Sequence, residues 1–166
     1  MPHLFSSHYS KNSLNILMII VLFFSGCAMK QKITSEPVRF VFKTKSIKVA
    51  ASGFLQRGGS LKLQAYGAGQ PLFELILGKR VCINGRCMSY AMFNEKVLSP
   101  FYPSYIIRNI LESKPIFAGK NLEKRGDGFF QEILDERFAI IYRVTKKGVY
   151  FKDSKNKILI KLKELD

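Results

Sequence analysis

Histidine and tryptophan are almost missing from this chain: Trp does not occur, and the two His residues are His3 and His8. From Cys27 onward there is no imidazole to act as the base of a Ser-His-Asp or Cys-His arrangement, and none to ligate a metal. Acids are scarce as well, with 12 Asp and Glu against 27 Lys and Arg. Most sit beside a base, as in Glu123-Lys124-Arg125 and Asp135-Glu136-Arg137, and no spacing singles out a carboxylate pair for glycoside chemistry. These absences argue against an enzyme and imply neither a cofactor nor a metal site. A membrane-spanning run is missing too. A bilayer core about 30 Å thick takes roughly 20 apolar residues, and Ile16–Phe24 is far shorter.

That short run ends in Phe24-Ser25-Gly26-Cys27. A weakly basic start with Lys11, an apolar stretch and small residues before a Cys read as a lipoprotein signal peptide over residues 1–26. Phe24 stands where Leu is usual, and the Cys27 thiol is the expected site of lipidation. The partner of this end of the chain is then a membrane, held through the lipid. Ala28 is not the Asp that retains lipoproteins at the inner membrane, so the expected location is the outer membrane, facing the periplasm. Residues 27–36 read as a polar lipidated tether, and 37–166 as one domain with room for a core. Only Lys11 precedes Cys27, so removing the signal lowers the net charge from +15 to +14. An exported protein meets no nucleic acid. Anionic head groups or cell-wall polymers are the partners this charge suits, although scattered Lys residues also suit plain solvated strand faces.

From Val38 the hydrophobic period is two, the pattern of half-buried strands. Val38, Phe40 and Phe42 alternate with Arg39 and Val41, and Ile47 and Val49 flank Lys48. Gly58-Gly59 separates Phe54–Arg57 from Leu61–Tyr66; Gly67-Ala68-Gly69 precedes Leu72–Leu77. After Gly126-Asp127-Gly128 come Phe129–Leu134, Phe138–Val144, Val149–Lys152 and Ile158–Leu162. Short connections make successive strands antiparallel neighbours. The expected fold is mainly β: a curved antiparallel sheet, or unclosed β-barrel, of about nine or ten strands.

In Cys82-Ile83-Asn84-Gly85-Arg86-Cys87 the Asn-Gly pair favours a two-residue type I′ turn. Ile83 and Arg86 then close the loop, and Cys82 and Cys87 fall opposite each other in a non-hydrogen-bonded pair, about 4.5 Å apart at Cα. The expectation is a disulfide, which oxidation outside the inner membrane permits. Redox catalysis prefers Cys-x-x-Cys, so this bond reads as a staple.

Phe93–Asn121 breaks the strand pattern. Pro103 opens a segment with Ile106, Ile107, Ile110 and Leu111 in a helical stripe, and Pro115 ends it. Phe93–Leu98 reads as another turn or two of helix. A sheet with one apolar and one Lys-rich face needs a single cover, and Pro103–Glu112 is the expected helix on the concave face.

Strands, a short helical insert and further strands behind a lipidated Cys resemble the outer-membrane lipoprotein receptor family (LolB). Leu61–Gly67 followed by Gln70–Leu75 is similar to that family's strand, glycine loop and returning strand. Val149–Asp153 and Ile158–Leu162 are similar to its last hairpin, and Pro103–Gly119 lies where its helical insert lies. The family has an apolar Leu on the loop between the first two matched strands, where this chain has Tyr66-Gly67-Ala68-Gly69-Gln70. The disulfide hairpin is foreign to the family and resembles small, lysine-rich lipoproteins of the epsilon-proteobacterial kind. The resemblance implies a non-enzymatic protein that accepts the acyl chains of lipoproteins from a periplasmic carrier, or other lipid, for insertion into the outer membrane. Phe73, Leu75 and Leu77, alternating onto one face, are the expected acyl-site lining together with Ile107 and Ile110. The same residues are more often a plain packed core, because any half-buried strand shows this apolar alternation. The alternative function is a structural envelope lipoprotein whose basic face binds anionic polymers or a protein partner.

Overall fold

Period-two alternation becomes one antiparallel sheet in the computed structural model, which describes residues 33–165. Its strands are β1 (Thr34–Lys43), β2 (Lys48–Arg57), β3 (Leu61–Gly67), β4 (Gln70–Leu77), β5 (Val81–Ile83) and β6 (Arg86–Met88), then β7 (Leu122–Arg125), β8 (Gly128–Leu134), β9 (Ala139–Thr145), β10 (Gly148–Asp153) and β11 (Ile158–Glu164). Between β6 and β7 lie α1 (Tyr90–Val97), α2 (Ile106–Leu111) and a 3-10 turn at Phe117–Gly119. The order β6-β5-β4-β3-β2-β1-β11-β10-β9-β8-β7 pairs every strand with its chain neighbour except at one joint. There the first and last strands meet, with Phe40 opposite Leu162. The sheet does not close: β6 and β7 are its edges, and the helical insert is the chain that runs between them.

Eleven strands stand where nine or ten were expected. Val49 and Phe54–Arg57 are parts of a single strand, β2, with Ile47 just before it, while β7 is an addition. Leu122-Glu123-Lys124-Arg125 has no apolar alternation and is a strand only through pairing with β8, Leu122 opposite Gln131. Strand β1 starts at Thr34, so residues 34–36 belong to the sheet and not to the tether. Thr34–Pro37 pairs with Phe54–Arg57, and Arg57 forms an ion pair with Glu36. Cys27 and the residues read as a signal peptide lie outside the described residues.

Curvature follows from side-chain size. Flat, β1 and β4 would stand three strand spacings apart, about 14 Å. Yet the rings of Phe40 and Phe73 are 5.7 Å apart between centroids. The positions between them on the concave side are Ala51 and Gly53 of β2 and Ala65 of β3, too small to hold the two rings apart. Gly53 also lets the backbones come together, because a Cβ there would overlap the carbonyl of Gln64.

The concave face and the insert form one apolar cluster, including Phe40, Leu55, Leu75, Ile107, Tyr142 and Phe151. Each such side chain contributes about 1.5–3 kcal/mol by leaving water. Helix α1 is capped by Ser89, whose Oγ accepts the Met92 N–H at 3.2 Å, so its roughly two turns begin at Tyr90, ahead of the expected start at Phe93. Helix α2 buries Ile106, Ile107, Ile110 and Leu111 as its stripe predicts. It is shorter than Pro103–Glu112. Pro103–Tyr105 is a turn, with the Ile106 N–H donating to the Pro103 carbonyl at 3.0 Å. At the other end Ser113 takes a left-handed φ of 57°, which ends the helix before Pro115 enters it.

Candidate functional site

The concave face and its helical cover are where the expected lining residues come together. Phe73, Leu75 and Leu77 alternate inward from β4, opposite Ala65, Leu63 and Leu61 of β3. Ile107 and Ile110 point from α2 into the same cluster. All five are buried, none more than 4% exposed. They are packed against Phe40, Phe42 and other core side chains, and four surface concavities of about 190–530 Å³ among the described residues have other linings. In this state the expected acyl lining is a filled core.

The cover is attached unevenly. On the β8–β10 side its bonds are buried or partly buried. Gln131, at an inward position between Phe129 and Ile133, accepts the Ile116 N–H at 2.9 Å and donates to the carbonyls of Ile116 (3.0 Å) and Lys120 (2.7 Å). The Tyr142 hydroxyl donates to the Lys114 carbonyl at 3.0 Å. The Tyr102 hydroxyl donates to the fully buried Asp153 carboxylate, which also accepts from the Ala139, Lys155 and Asn156 backbone N–H groups and the Asn156 amide. Burial pushes the Tyr102 and Tyr142 phenols well above the ordinary tyrosine value, and the Asp153 carboxylate adds to the effect on Tyr102. Asn94 ties the insert to itself, donating to the carbonyls of Tyr102 and Pro103.

On the opposite side the ties are few and wetter. The Tyr90 hydroxyl donates to the Gly78 carbonyl at 3.0 Å, and Ser46 Oγ to the Lys96 carbonyl at 3.3 Å on the exposed surface. Beside Tyr90 a concavity of about 500 Å³ lies between the β5–β6 hairpin and the insert, lined by Arg80, Met88, Tyr90, Met92 and Tyr105. Tyr90 and Tyr105 pack with ring centroids 4.5 Å apart. Met supplies adaptable apolar surface, so this mouth combines flexible and aromatic groups.

The hairpin bordering that mouth has the expected register. Asn84 and Gly85 have φ of 46° and 81°, Ile83 faces Arg86, and Cys82 faces Cys87, to which it is disulfide-bonded with the Cα atoms 3.9 Å apart. Arg80 donates to the Cys87 carbonyl at 2.8 Å and ties the turn before the hairpin to its far strand.

Gln131, Asp153 and Tyr102 were not among the expected site residues. The first two could have been found: each is a polar residue in the apolar phase of its strand, Gln131 with Phe129 and Ile133, Asp153 with Val149 and Phe151. An apolar residue also projects by the β3–β4 turn. Leu72, 64% exposed, lies close beside Gly67, and Tyr66 packs edge-on to Phe54 at 6.4 Å. Ala68 and Gly69, with φ of 50° and 79°, make the tight turn that leaves these side chains outside.

Together these elements define a class: an unclosed eleven-stranded antiparallel sheet wound around an apolar core and covered by a two-helix insert. No known family's sequence profile matches the chain, and no curated protein matches it. Among the described residues no helix is long and apolar enough to cross a membrane.

Proposed function

We propose that the protein binds acyl chains, of lipoproteins or of lipid, between the sheet and its cover, as a non-enzymatic lipoprotein of the outer membrane. The observation that carries this reading is the uneven attachment of the cover. An apolar concave wall lies under an insert fixed by five buried or partly buried bonds to Gln131, Tyr142 and Asp153. The other side is held by two, the partly buried Tyr90 bond beside a Met- and Tyr-lined mouth and the exposed Ser46 bond. Lifting the lightly tied side would expose Phe73, Leu75 and Leu77 to a hydrocarbon tail without disturbing Gln131 or Asp153. Each buried methylene of that tail would contribute about 0.8 kcal/mol. The loop itself lacks the family's apolar Leu; exposed Tyr66 and Leu72, on the strands that flank the β3–β4 turn, are the apolar groups nearest to that place. Acylated Cys27 would anchor the domain to the membrane, where two chains hold stably and one does not.

The test uses a soluble chain of residues 29–166 and a fluorescent fatty acid, followed by an acylated lipoprotein. Saturable uptake that persists at high salt supports the reading, since hydrocarbon burial is insensitive to ionic strength while charge pairing is not. Ile107 is fully buried, so Ile107→Asp would disrupt the fold. Met92→Asp and Tyr105→Asp, at exposed mouth positions, are the informative variants and should weaken uptake. A folded protein with no uptake would refute the proposal. The anchor is tested separately: Cys27→Ala should leave an unprocessed precursor that takes up no palmitate label.

A further inference from the structure

The outer face of the sheet is divided by charge. Acids face outward from the flanking strands, Glu74 on β4, Glu123 on β7 and Glu132 on β8. On β1, β11, β10 and β9 the outward positions of Arg39–Lys43, Leu159–Lys163, Gly148–Lys152 and Ile141–Thr145 hold no carboxylate. They hold Arg39, Lys43, Lys161, Lys163, Lys152 and Arg143, and none of these six pairs with a carboxylate among the described residues. Like charges so close repel one another, and a bound polyanion would relieve that repulsion.

The field is also shaped. Tyr150 lies opposite both Lys161 and Arg143, with the Lys161 ammonium 5.3 Å from its ring centre. It forms a wall shared by two shallow concavities. One, of about 530 Å³, is lined by Lys43, Lys152 and Lys157; the other, of about 190 Å³, by Arg143, Lys147 and Lys163. Asp153 borders the first, with its carboxylate occupied by Tyr102 and Asn156. The second opens over Gly148, where a Cβ would overlap the Leu162 carbonyl, so no side chain can fill the gap.

We infer that this face binds an acidic polysaccharide. Cations on both sides of a partly exposed aromatic ring suit a chain of charged sugar rings, whose flat apolar faces stack on Tyr150 while their acid groups meet the flanking lysines. The cations spread over four neighbouring strands on the outside of a curled sheet. A planar membrane would touch such a wall along one line, whereas a flexible chain can follow it around. Lysine predominates, and its ammonium acts as a point charge without the planar fork of Arg, which matches a polymer with loosely spaced acids. The face lies outside the sheet, away from the acyl site proposed above, and the two stand or fall separately.

The experiment uses the full chain in a non-ionic detergent and three probes: an oligogalacturonate, a polyglutamate of equal charge, and mixed micelles containing phosphatidylglycerol. The oligogalacturonate should bind most tightly, with log affinity falling against log salt at a slope of at least about 2. Replacing Lys43, Lys152 and Lys163 together by Gln should weaken it about 30-fold. Tyr150→Ala should weaken it about fivefold and leave polyglutamate binding unchanged. These positions are surface ones, so an unaltered melting temperature shows that the variants fold. Undiminished binding by the triple variant would overturn the inference. So would polyglutamate binding as tightly as oligogalacturonate with equal loss in Tyr150→Ala, or tighter, lysine-dependent binding to the anionic micelles, which would make the face a membrane contact.

Discussion

The two halves of the sheet solve the same packing problem differently. In β1–β6 the buried inward positions are apolar, and small residues at Ala51, Gly53 and Ala65 let the sheet curl until Phe40 and Phe73 meet. In β7–β11 the interior includes Gln131, Asp153 and the Tyr142 phenol, each with its bonding capacity directed to the insert or to a neighbouring turn. Buried polar groups of this kind specify one arrangement, because breaking any bond leaves a partner unsatisfied. Apolar contacts tolerate sliding. One half is therefore a lining and the other an anchorage, and the cover spans both.

The largest effect should come from attacking the lining at its tightest point. Gly53→Val places side-chain atoms against the Gln64 carbonyl and should cost at least about 3 kcal/mol in chemical denaturation. A smaller but more selective loss should follow Gln131→Leu, which orphans the Ile116 N–H and two carbonyls for about 2–3 kcal/mol. Amide exchange should then accelerate at Ile116 and Lys120 while β1–β6 stays protected; equal acceleration in both halves would erase the distinction. Alkali should act on the same half. Tyr102 and Tyr142 are held neutral in the fold, above the ordinary value of 10.0 at which the unfolded chain ionises them. Their contribution is thus complete below about pH 10 and is lost as the pH rises further. Replacing both by Phe should flatten that decline. The smallest effect belongs to the disulfide. Its short loop gives about 2 kcal/mol at most, and reduction should loosen only β5 and β6, seen as exchange confined to Val81–Met88.

Legibility in the sequence depended on how local each signal is. The Asn84-Gly85 hairpin and its disulfide could be read in detail because a two-residue turn fixes register residue by residue. The strands of the lining were visible because alternation is a local property. Strand β7 was not, since an edge strand of mostly charged residues exists through its partner and not through its own pattern. The start of α1 was marked by Ser89 ahead of the helix, a capping signal that the surrounding strand-like residues obscured. Whether Phe73 and Ile107 line a pocket or fill a core was closed to sequence. Volume depends on how far the sheet curls, and that depends on Gly53 and Ala65 meeting across two strands.

The joint between β1 and β11 has a consequence for how the chain reaches this state. Within each half, strands pair with chain neighbours through short turns, and such local pairing is fast. The joint links Arg39 with Lys163 across nearly the whole domain, so its loop-closure entropy must be met before any bond there is returned. Two meanders should accordingly form first and dock last, and until they do, β1 and β11 are bare strand edges open to another chain. Pulse-labelled refolding should show Leu63 and Tyr142 amides protected ahead of those of Val41 and Lys161, whose N–H groups face each other across the joint. The lysines on both strands, Lys43, Lys161 and Lys163, would then serve the unassembled protein as well, keeping two copies apart by charge during the interval in which they are most able to join.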